Sequence, residues 1–348
     1  MLNLNIAYNT KQYEVAAELN SAGRVTRNCA QHICNVLDNF GFVIIPHLQT
    51  EEEANVGLRL VQDAVADPNR ERGDFASQTD ILYERRDFCP LPSSPQVLSY
   101  ASLLCYRLKD VLLEYCGTTR KVLEISTMTS YQGCSHQYLH RDPDGVLCLF
   151  SALDDISLEQ GGTVFVPGTH KYSGSELQHE GDAGLLMTLA QTLSNYHILR
   201  HNLKKMFSMR KSGSFKISKQ EFRDRVFSTR YDNHQPNLIN FFLRRNDIFD
   251  LFSLLPHKLL KLYKNRKYIR EHFPLVQVSP KKGSIILYRS DMLHAGPDNS
   301  SIKPRFFFGM SIARDVIFDE EWRNGYAPHT SLLAEPKSLG DLLKYQNK

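Results

Sequence analysis

Four apolar runs rich in β-branched and aromatic residues most constrain the fold of this 348-residue chain. They span residues 122–131, 146–153, 281–290 and 305–313. Runs of this length, bounded by turn-forming residues, are typical of β-strands. Two of them lie in each half of the chain, so the sequence predicts a core built from strands that are far apart along the chain.

Residues of the metal-binding types stand at the ends of these predicted strands. His140 and Asp142 lie between the first two runs, and His294 follows the third. Alternate residues of an extended segment point to the same side, so His140 and Asp142 can face one ion. Two imidazoles and one carboxylate are the ligand set of non-haem iron(II) oxygenases, which leaves further metal positions open. An isolated His-x-Asp arises by chance, so the prediction depends on His294 and on the surrounding strands.

Arg305 stands at the entrance of the fourth run, eleven residues after His294. A histidine at the end of one strand and an arginine at the start of the next, antiparallel strand would be neighbours in space. A guanidinium group offers two parallel donors to a carboxylate. An arginine in this position could hold the far carboxylate of a dicarboxylic cosubstrate.

Several longer motifs accompany these residues: LFSALDDI at 149–156, QGGTVFVPGTHK at 160–171 and HAGPDNS at 294–300. The N-terminal half adds a helix pattern at 28–39, a strand pattern at 41–46 and a helix opened by a capping box at 50–53. Together they resemble the phytanoyl-CoA dioxygenase (PhyH) family of iron(II)/2-oxoglutarate-dependent dioxygenases, over about residues 25–172 and 274–315.

The resemblance implies a mainly β fold with helices (α+β), in which a double-stranded β-helix (jelly-roll, cupin-like) core carries N-terminal helices and a helical insert. It implies iron(II), 2-oxoglutarate as cosubstrate, and O2. It also implies that the metal ligands and catalytic residues are His140, Asp142 and His294, and that Arg305, Thr163 and Phe150 contact the cosubstrate. Because related halogenases replace the carboxylate ligand with a small residue, Asp142 favours oxygenation.

Residues that flank the expected ligands are the further site candidates. Gln137 is a candidate for cosubstrate binding, and the candidates for substrate binding are Tyr131, Tyr138, Arg141 and Arg289. The alternative for each is ordinary packing or a solvated edge. The chain also departs from its relatives at Gly296, where they often carry a serine that contacts the cosubstrate.

The segment between the two halves of the expected site is strongly basic. Residues 200–282 contain 20 Lys and Arg against 6 Asp and Glu, a net charge of +14, whereas the whole chain carries +4. Residues 173–273 are expected to form a helical insert, with helices at 183–209, 218–228, 238–254 and 256–273. It could be a lid that recognises an anionic substrate, or a solvated helical subdomain; membrane-surface binding is a third option.

Composition bounds the remaining expectations. The length fits one domain, 1–348, and the odd number of seven cysteines favours reduced thiols in the cytoplasm. No apolar stretch approaches membrane-spanning length, and no secretory signal is visible. Nucleic acid is not expected, because Ser311 stands where dealkylating relatives carry a second arginine.

The sequence therefore predicts an iron(II)/2-oxoglutarate-dependent dioxygenase that hydroxylates a small molecule, with an anionic handle, a carrier-tethered group or a natural-product intermediate as options. Two other functions stay open. One is a protein or peptide hydroxylase with the same cofactors, and the other is a catalytically inactive β-helix that only binds.

Overall fold

A computed structural model of the chain describes residues 6–73, 78–172, 181–211, 217–227, 264, 266–314 and 326–345. The helix predicted at 238–254 lies outside these residues. Of the helix predicted at 256–273, they include 264 and 266–273, where a helix spans Arg266–His272.

The described residues form strands and helices in a mixed order. The strands are β1 (Ile6–Ala7), β2 (Phe42–Ile45), β3 (Arg86–Pro90), β4 (Val122–Ser130), β5 (Val146–Ala152), β6 (Thr163–Phe165), β7 (Leu275–Val278), β8 (Ile285–Arg289), β9 (His294–Ala295) and β10 (Arg305–Ala313). The helices are α1 (Arg27–Phe40), α2 (Glu51–Ala66), α3 (Gln78–Leu82), α4 (Pro95–Arg107), α5 (Lys109–Cys116), α6 (Gly181–Lys211), α7 (Lys219–Phe227), α8 (Arg266–His272), α9 (Thr330–Ala334) and α10 (Leu339–Tyr345).

The strands form two sheets. The larger has the order β2-β8-β5-β10-β4-β3, and the smaller has the order β1-β7-β6-β9. All neighbours are antiparallel except β1 and β7, and strands from the two halves of the chain alternate from β2 to β4 in the larger sheet. The fold class predicted from the sequence, mixed α+β with a β core, is confirmed.

Alternation along the strands creates three apolar layers. Leu147 and Leu149 of β5 point outward and pack under helices α1, α2, α4 and α5. Val146 and Cys148 point inward, into a cluster shared with Phe165 and other side chains of the smaller sheet. The outer face of the smaller sheet is covered by α6. The space between the two sheets is therefore lined by inward-pointing side chains of both.

The N-terminal elements begin and end where the sequence predicts. Thr50 and Glu53 form the capping box at the start of α2. Gly41 ends α1 with a φ of 83°, a left-handed conformation that glycine adopts without strain, and β2 follows directly. A Cβ atom at Gly41 would lie 2.5 Å from Nδ1 of His170, so the turn also leaves no room for a side chain.

One predicted neighbour relation is wrong. His294 lies in β9 of the smaller sheet and Arg305 begins β10 of the larger sheet, so the two strands do not pair. The residues between them, from Gly296 to Pro304, carry the chain from one sheet to the other. His294 and Arg305 nevertheless line the same cavity, because the two sheets share their inner space.

Candidate metal centre and its cavity

His140, Asp142 and His294 come together at the edge of the smaller sheet. One ligand-type atom from each lies within 4.8 Å of the others. Nε2 of His294 is 3.3 Å from Oδ2 of Asp142, and Nε2 of His140 is 3.9 Å from Oδ1. In the part of the chain that the structure describes, this is the one group of three such residues that could hold a metal ion.

Backbone contacts hold both imidazoles in the orientation that metal binding needs. Nδ1 of His140 lies 2.7 Å from the carbonyl of Tyr138, and Nδ1 of His294 lies 3.0 Å from the carbonyl of Met292. A carbonyl only accepts, so each Nδ1 carries the proton and each Nε2 presents its lone pair. The donor set therefore fits a divalent ion such as iron(II), with neutral imidazoles and one carboxylate.

A backbone ladder fixes the spacing of the ligands. The N–H of His140 donates to the carbonyl of His294 (3.0 Å), and the N–H of His294 donates back (2.9 Å). The N–H of Asp142 donates to the carbonyl of Ser290 (3.0 Å). The segments of His140 and His294, which are 154 positions apart in sequence, are thus held side by side by an isolated antiparallel bridge.

The metal candidates open onto a cavity between the two sheets. Its lining includes alternate residues of β4 and β10, which point inward from the larger sheet. The lining residues are Arg86, Phe88, Glu124, Ser126, Met128, Gln137, His140, Asp142, Cys148, Phe150, Thr163, Tyr288, His294, Gly296, Arg305, Phe307, Ser311 and Tyr326. The structure thus brings Arg305, Thr163, Phe150 and Gln137 together with the three metal candidates.

One end of the cavity is cationic. Arg305 is buried, and its Nη2 donates to Oγ of Ser130 (2.8 Å). Burial and the nearby charge of Arg86 lower the pKa of Arg305 to about 10, which still leaves it charged at neutral pH. Gln137 shapes this end, since its Oε1 accepts from the N–H of Gly296 (2.8 Å).

The other end of the cavity is acidic and hydroxylated. Burial raises the pKa of the Glu124 carboxyl to about 7, and the charge of Asp142 adds to this shift. Hydrogen bonds from Oγ of Ser126 (2.8 Å) and the N–H of Ala327 (3.1 Å) oppose it. Burial also raises the pKa of Tyr326, so this phenol stays protonated and can donate a hydrogen bond.

Two of the candidates for substrate contact, Tyr131 and Arg289, lie outside the cavity lining. Tyr131 lines a separate surface pocket with Arg70, Arg72 and Arg85. Arg289 ends β8 outside the cavity lining, and its Nη2 lies 2.6 Å from Oδ2 of Asp291.

The other two candidates are taken up by packing around α6. Tyr138 is fully buried in the apolar cluster between α6 and the smaller sheet. Arg141 donates to the carbonyls of Tyr172 and Thr169, both at 2.9 Å, on the side away from Asp142. Alternation explains this placement, because residues 138 to 142 are extended and Arg141 lies between the two ligand candidates.

Arg86 and Glu124 are the charged cavity residues that sequence reasoning missed. Glu124 could have been found, since it shares the inward face of β4 with Ser126 and Met128. Arg86 carries no such signal: β3 is a short edge strand with two arginines and an aspartate around its start, and nothing in the sequence says which one points inward.

Helix α6 of the insert packs behind the segment that leads to His140. The Asn195 side chain accepts from the N–H of Leu139 (2.9 Å), and Asn202 bonds both backbone groups of His136 (3.1 and 2.9 Å). None of the described residues between 181 and 273 lines the cavity. The covering role expected for the insert therefore concerns residues outside the described ones and stays a prediction.

Comparison with known proteins agrees with the His-Asp-His metal site described above. The family model of phytanoyl-CoA dioxygenase (PhyH) matches residues 133–200, which include His140, Asp142 and Thr163. No curated protein matches the chain. No helix among the described residues is long and apolar enough to cross a membrane.

The chain is similar to several solved structures at low identity. The carbocyclase SnoK from nogalamycin biosynthesis, a non-heme alpha ketoglutarate dependent enzyme, is 13% identical with a TM-score of 0.46, covering 90% of this chain and 95% of that one. The epimerase SnoN from the same biosynthesis is 13% identical (TM-score 0.48; 87% and 94%). HygX from Streptomyces hygroscopicus, with nickel, 2-oxoglutarate and hygromycin B bound, is 14% identical (TM-score 0.43; 84% and 88%).

The family-model match over residues 133–200 and the His-Asp-His group indicate an iron(II)/2-oxoglutarate-dependent enzyme, an oxidoreductase. Over residues 133–200, the family model confirms the resemblance to the phytanoyl-CoA dioxygenase family that the sequence motifs indicated.

Proposed function

We propose that the protein hydroxylates an unactivated C–H bond of a small organic molecule. The observation that carries this proposal is the group formed by His140, Asp142 and His294, in which both imidazoles are held by backbone carbonyls with Nε2 towards Asp142. The oxidation is chemistry that iron(II), 2-oxoglutarate and O2 supply when bound, with succinate and CO2 as co-products.

Different residues of the cavity bind the metal, the cosubstrate and the substrate. His140, Asp142 and His294 hold the metal, and Arg305 and Thr163 orient the cosubstrate, with Phe150 as an apolar wall. Gln137 keeps the backbone at Gly296 in place. The substrate lies towards Glu124, whose surroundings of serine and tyrosine hydroxyls suit a polar molecule that both accepts and donates hydrogen bonds.

Burial of the cavity favours a small substrate over a protein. His294, Arg305 and Glu124 are all less than a tenth exposed, although the Asp142 side chain is 30% exposed, so a substrate that reaches Glu124 has to enter between the sheets. We also propose that the chain forms one domain, 1–348, because the ligand candidates and the larger sheet combine both halves of the chain.

Succinate formation from 2-oxoglutarate tests this function. With iron(II), ascorbate and O2, the wild-type protein should form succinate, and more of it when a metabolite mixture supplies the substrate. His140→Ala, Asp142→Ala and His294→Ala should each reduce turnover by about 100-fold or more, because removing one ligand leaves the ion incompletely held. His32→Ala, on an exposed position of α1, is the matched control and should keep full turnover.

Two outcomes would contradict the proposal. Turnover that survives in Asp142→Ala would show that this carboxylate is not a ligand. Turnover that proteins or peptides stimulate and metabolites do not would replace the small-molecule substrate with a protein substrate.

A further inference from the structure

Glu124 places a buried carboxylate in the wall of the cavity. The residue is 7% exposed and points inward from β4. Its Oε1 accepts from Oγ of Ser126 (2.8 Å), and its Oε2 accepts from the N–H of Ala327 (3.1 Å). A carboxylate oxygen can accept two hydrogen bonds, so each oxygen keeps one position for a further donor. Both neighbours donate to Glu124, which favours the ionised carboxylate over the protonated acid.

No cation balances this carboxylate among the described residues. The described lysines, arginines and histidines form no salt bridge with Glu124, and the charge that acts on it is the like charge of Asp142. The arginines that line the cavity lie at its cationic end, where Arg305 bonds Ser130. Ser130 is six residues further along β4, which is about 20 Å in an extended strand. Because a buried carboxylate is stabilised by a partner of opposite charge, this end of the cavity suits a cationic group.

Aromatic rings line the cavity from the acidic end onwards. Tyr326 precedes Ala327, the residue whose N–H donates to Glu124, and the charge of Glu124 raises the pKa of its phenol. Tyr288 and Phe150 continue the aromatic wall, with ring centroids 5.2 Å apart. The faces of such rings attract cations. An ammonium group has donors and no acceptor, so it can bond the open positions of the carboxylate while its carbon substituents contact the rings.

We propose that Glu124 binds an ammonium group of the substrate, so that the protein acts on a small organic amine. This inference rests on the proposed function and names the class of molecule that enters the cavity. The charge is opposite to that of the anionic handle which the basic insert suggested, because Glu124 lines the cavity and the described residues of the insert do not.

The test compares two probes that share a benzyl group and differ in the charge of the head group. Binding of benzylammonium and of benzyl alcohol to the full chain, loaded with nickel(II) and 2-oxoglutarate, is measured by calorimetry at pH 8. The Glu124 carboxyl, with a pKa of about 7, is mostly ionised there. Glu124→Gln should weaken benzylammonium by about 10- to 100-fold, the range expected for hydrogen bonds to a charged group. It should change the affinity for benzyl alcohol by no more than about threefold, because glutamine still bonds a hydroxyl.

A conservative variant and a matched control complete the test. Glu124→Asp keeps the charge on a shorter side chain and should fall between wild type and Glu124→Gln; it replaces the glutamine variant if that one fails to fold. Glu159→Gln removes the same charge at an exposed position outside the cavity lining, and should leave both affinities unchanged.

The outcomes separate this inference from the proposed function. Unchanged benzylammonium affinity in Glu124→Gln would overturn the inference, and this includes an amine that bonds the metal directly. Equal weakening of both probes would mean a purely structural role for Glu124, and a wild-type protein that bound neither probe would equally contradict the inference. If the wild-type protein bound neither nickel nor 2-oxoglutarate, the proposed function itself would fail.

Discussion

At the scale of single residues, alternation along β4 gives the cavity its polarity. Glu124, Ser126 and Met128 all point inward, and Ser130 at the end of the strand bonds Arg305. The strand thus runs from the acidic end of the cavity to the cationic end. If the cosubstrate binds at the cationic end, as we propose, the acidic end around Glu124 is the part of the cavity left for the substrate.

Because the pKa of Glu124 is raised, we expect the free energy of unfolding to depend on pH. Its carboxyl has a pKa of about 7 in the folded protein, whereas an unperturbed glutamate has a pKa of 4.5. The folded state therefore favours the protonated form, and the stability linked to it is fully present below about pH 4.5 and lost as pH rises towards 7. Glutamine at position 124 does not titrate. The free energy of unfolding of Glu124→Gln should therefore rise by up to about 3 kcal/mol relative to that of wild type between pH 4.5 and 8.

Urea unfolding of the metal-free protein checks this. The free energy of unfolding of wild type and Glu124→Gln is compared at pH 5 and at pH 8, with EDTA present so that no ion neutralises Asp142. The same difference between the two proteins at both pH values would show that Glu124 does not bind a proton on folding.

Residue chemistry explains which site residues the sequence could predict. His140, Asp142, His294 and Arg305 combine distinctive residue types with strand ends, so both type and position carry information. Arg86 has a distinctive type but no distinctive position, since its selection over Arg85 depends on which face of β3 meets the cavity. That choice is made by tertiary packing, which a short edge strand does not reveal.

At the scale of elements, α6 acts as a support for the metal-binding edge. The segment from His136 to Leu139 lies outside the named strands, and α6 side chains supply hydrogen bonds that a neighbouring strand would otherwise supply. Leu199 and Ile198 of α6 pack on the outer face of the smaller sheet at the same time. The insert therefore positions His140, whatever else its remaining residues do.

A substitution in α6 should accordingly affect metal binding. Asn195→Leu keeps the side-chain size but leaves the backbone N–H of Leu139, one residue before His140, without its acceptor. We expect iron(II) affinity to fall about tenfold, as for other residues that orient a ligand, with helix content unchanged. Anaerobic iron(II) titration measures the affinity, and circular dichroism measures the helix content.

Lys204→Ala, at an exposed position of the same helix, is the control and should bind iron(II) like wild type. If Asn195→Leu also bound iron(II) like wild type, α6 would be a packing element without a part in positioning the ligand.

The positions of the strands were more predictable from the sequence than the pairing between them. The strand patterns at 146–153 and 305–313 became β5 and β10 because local composition determines extended structure. The pairing of His294 with the strand of Arg305 was wrong, because the residues between them cross from one sheet to the other. Local sequence does not show such a crossing; it follows from how the two sheets share their inner space.

At the scale of the whole molecule, the metal candidates connect distant parts of the chain. His140 and Asp142 precede the insert and His294 follows it, and their segments meet through the two hydrogen bonds between His140 and His294. The larger sheet repeats this arrangement, since β8 and β10 from the second half flank β5 from the first. An ion bound at this place would stabilise both halves at once.

Thermal unfolding should therefore occur as one transition, and the Tm of that whole transition should rise when metal binds. A ligand at 100 times its dissociation constant stabilises the folded state by about 2.7 kcal/mol, which corresponds to a rise in Tm of about 4 °C for a chain of this length. Calorimetry with excess nickel, compared with EDTA, should show this shift in a single peak, and Asp142→Ala should abolish it. Two separate peaks of which only one moved would show that the halves unfold independently. A single domain over residues 1–348 would then be wrong, even if the metal bound where we expect.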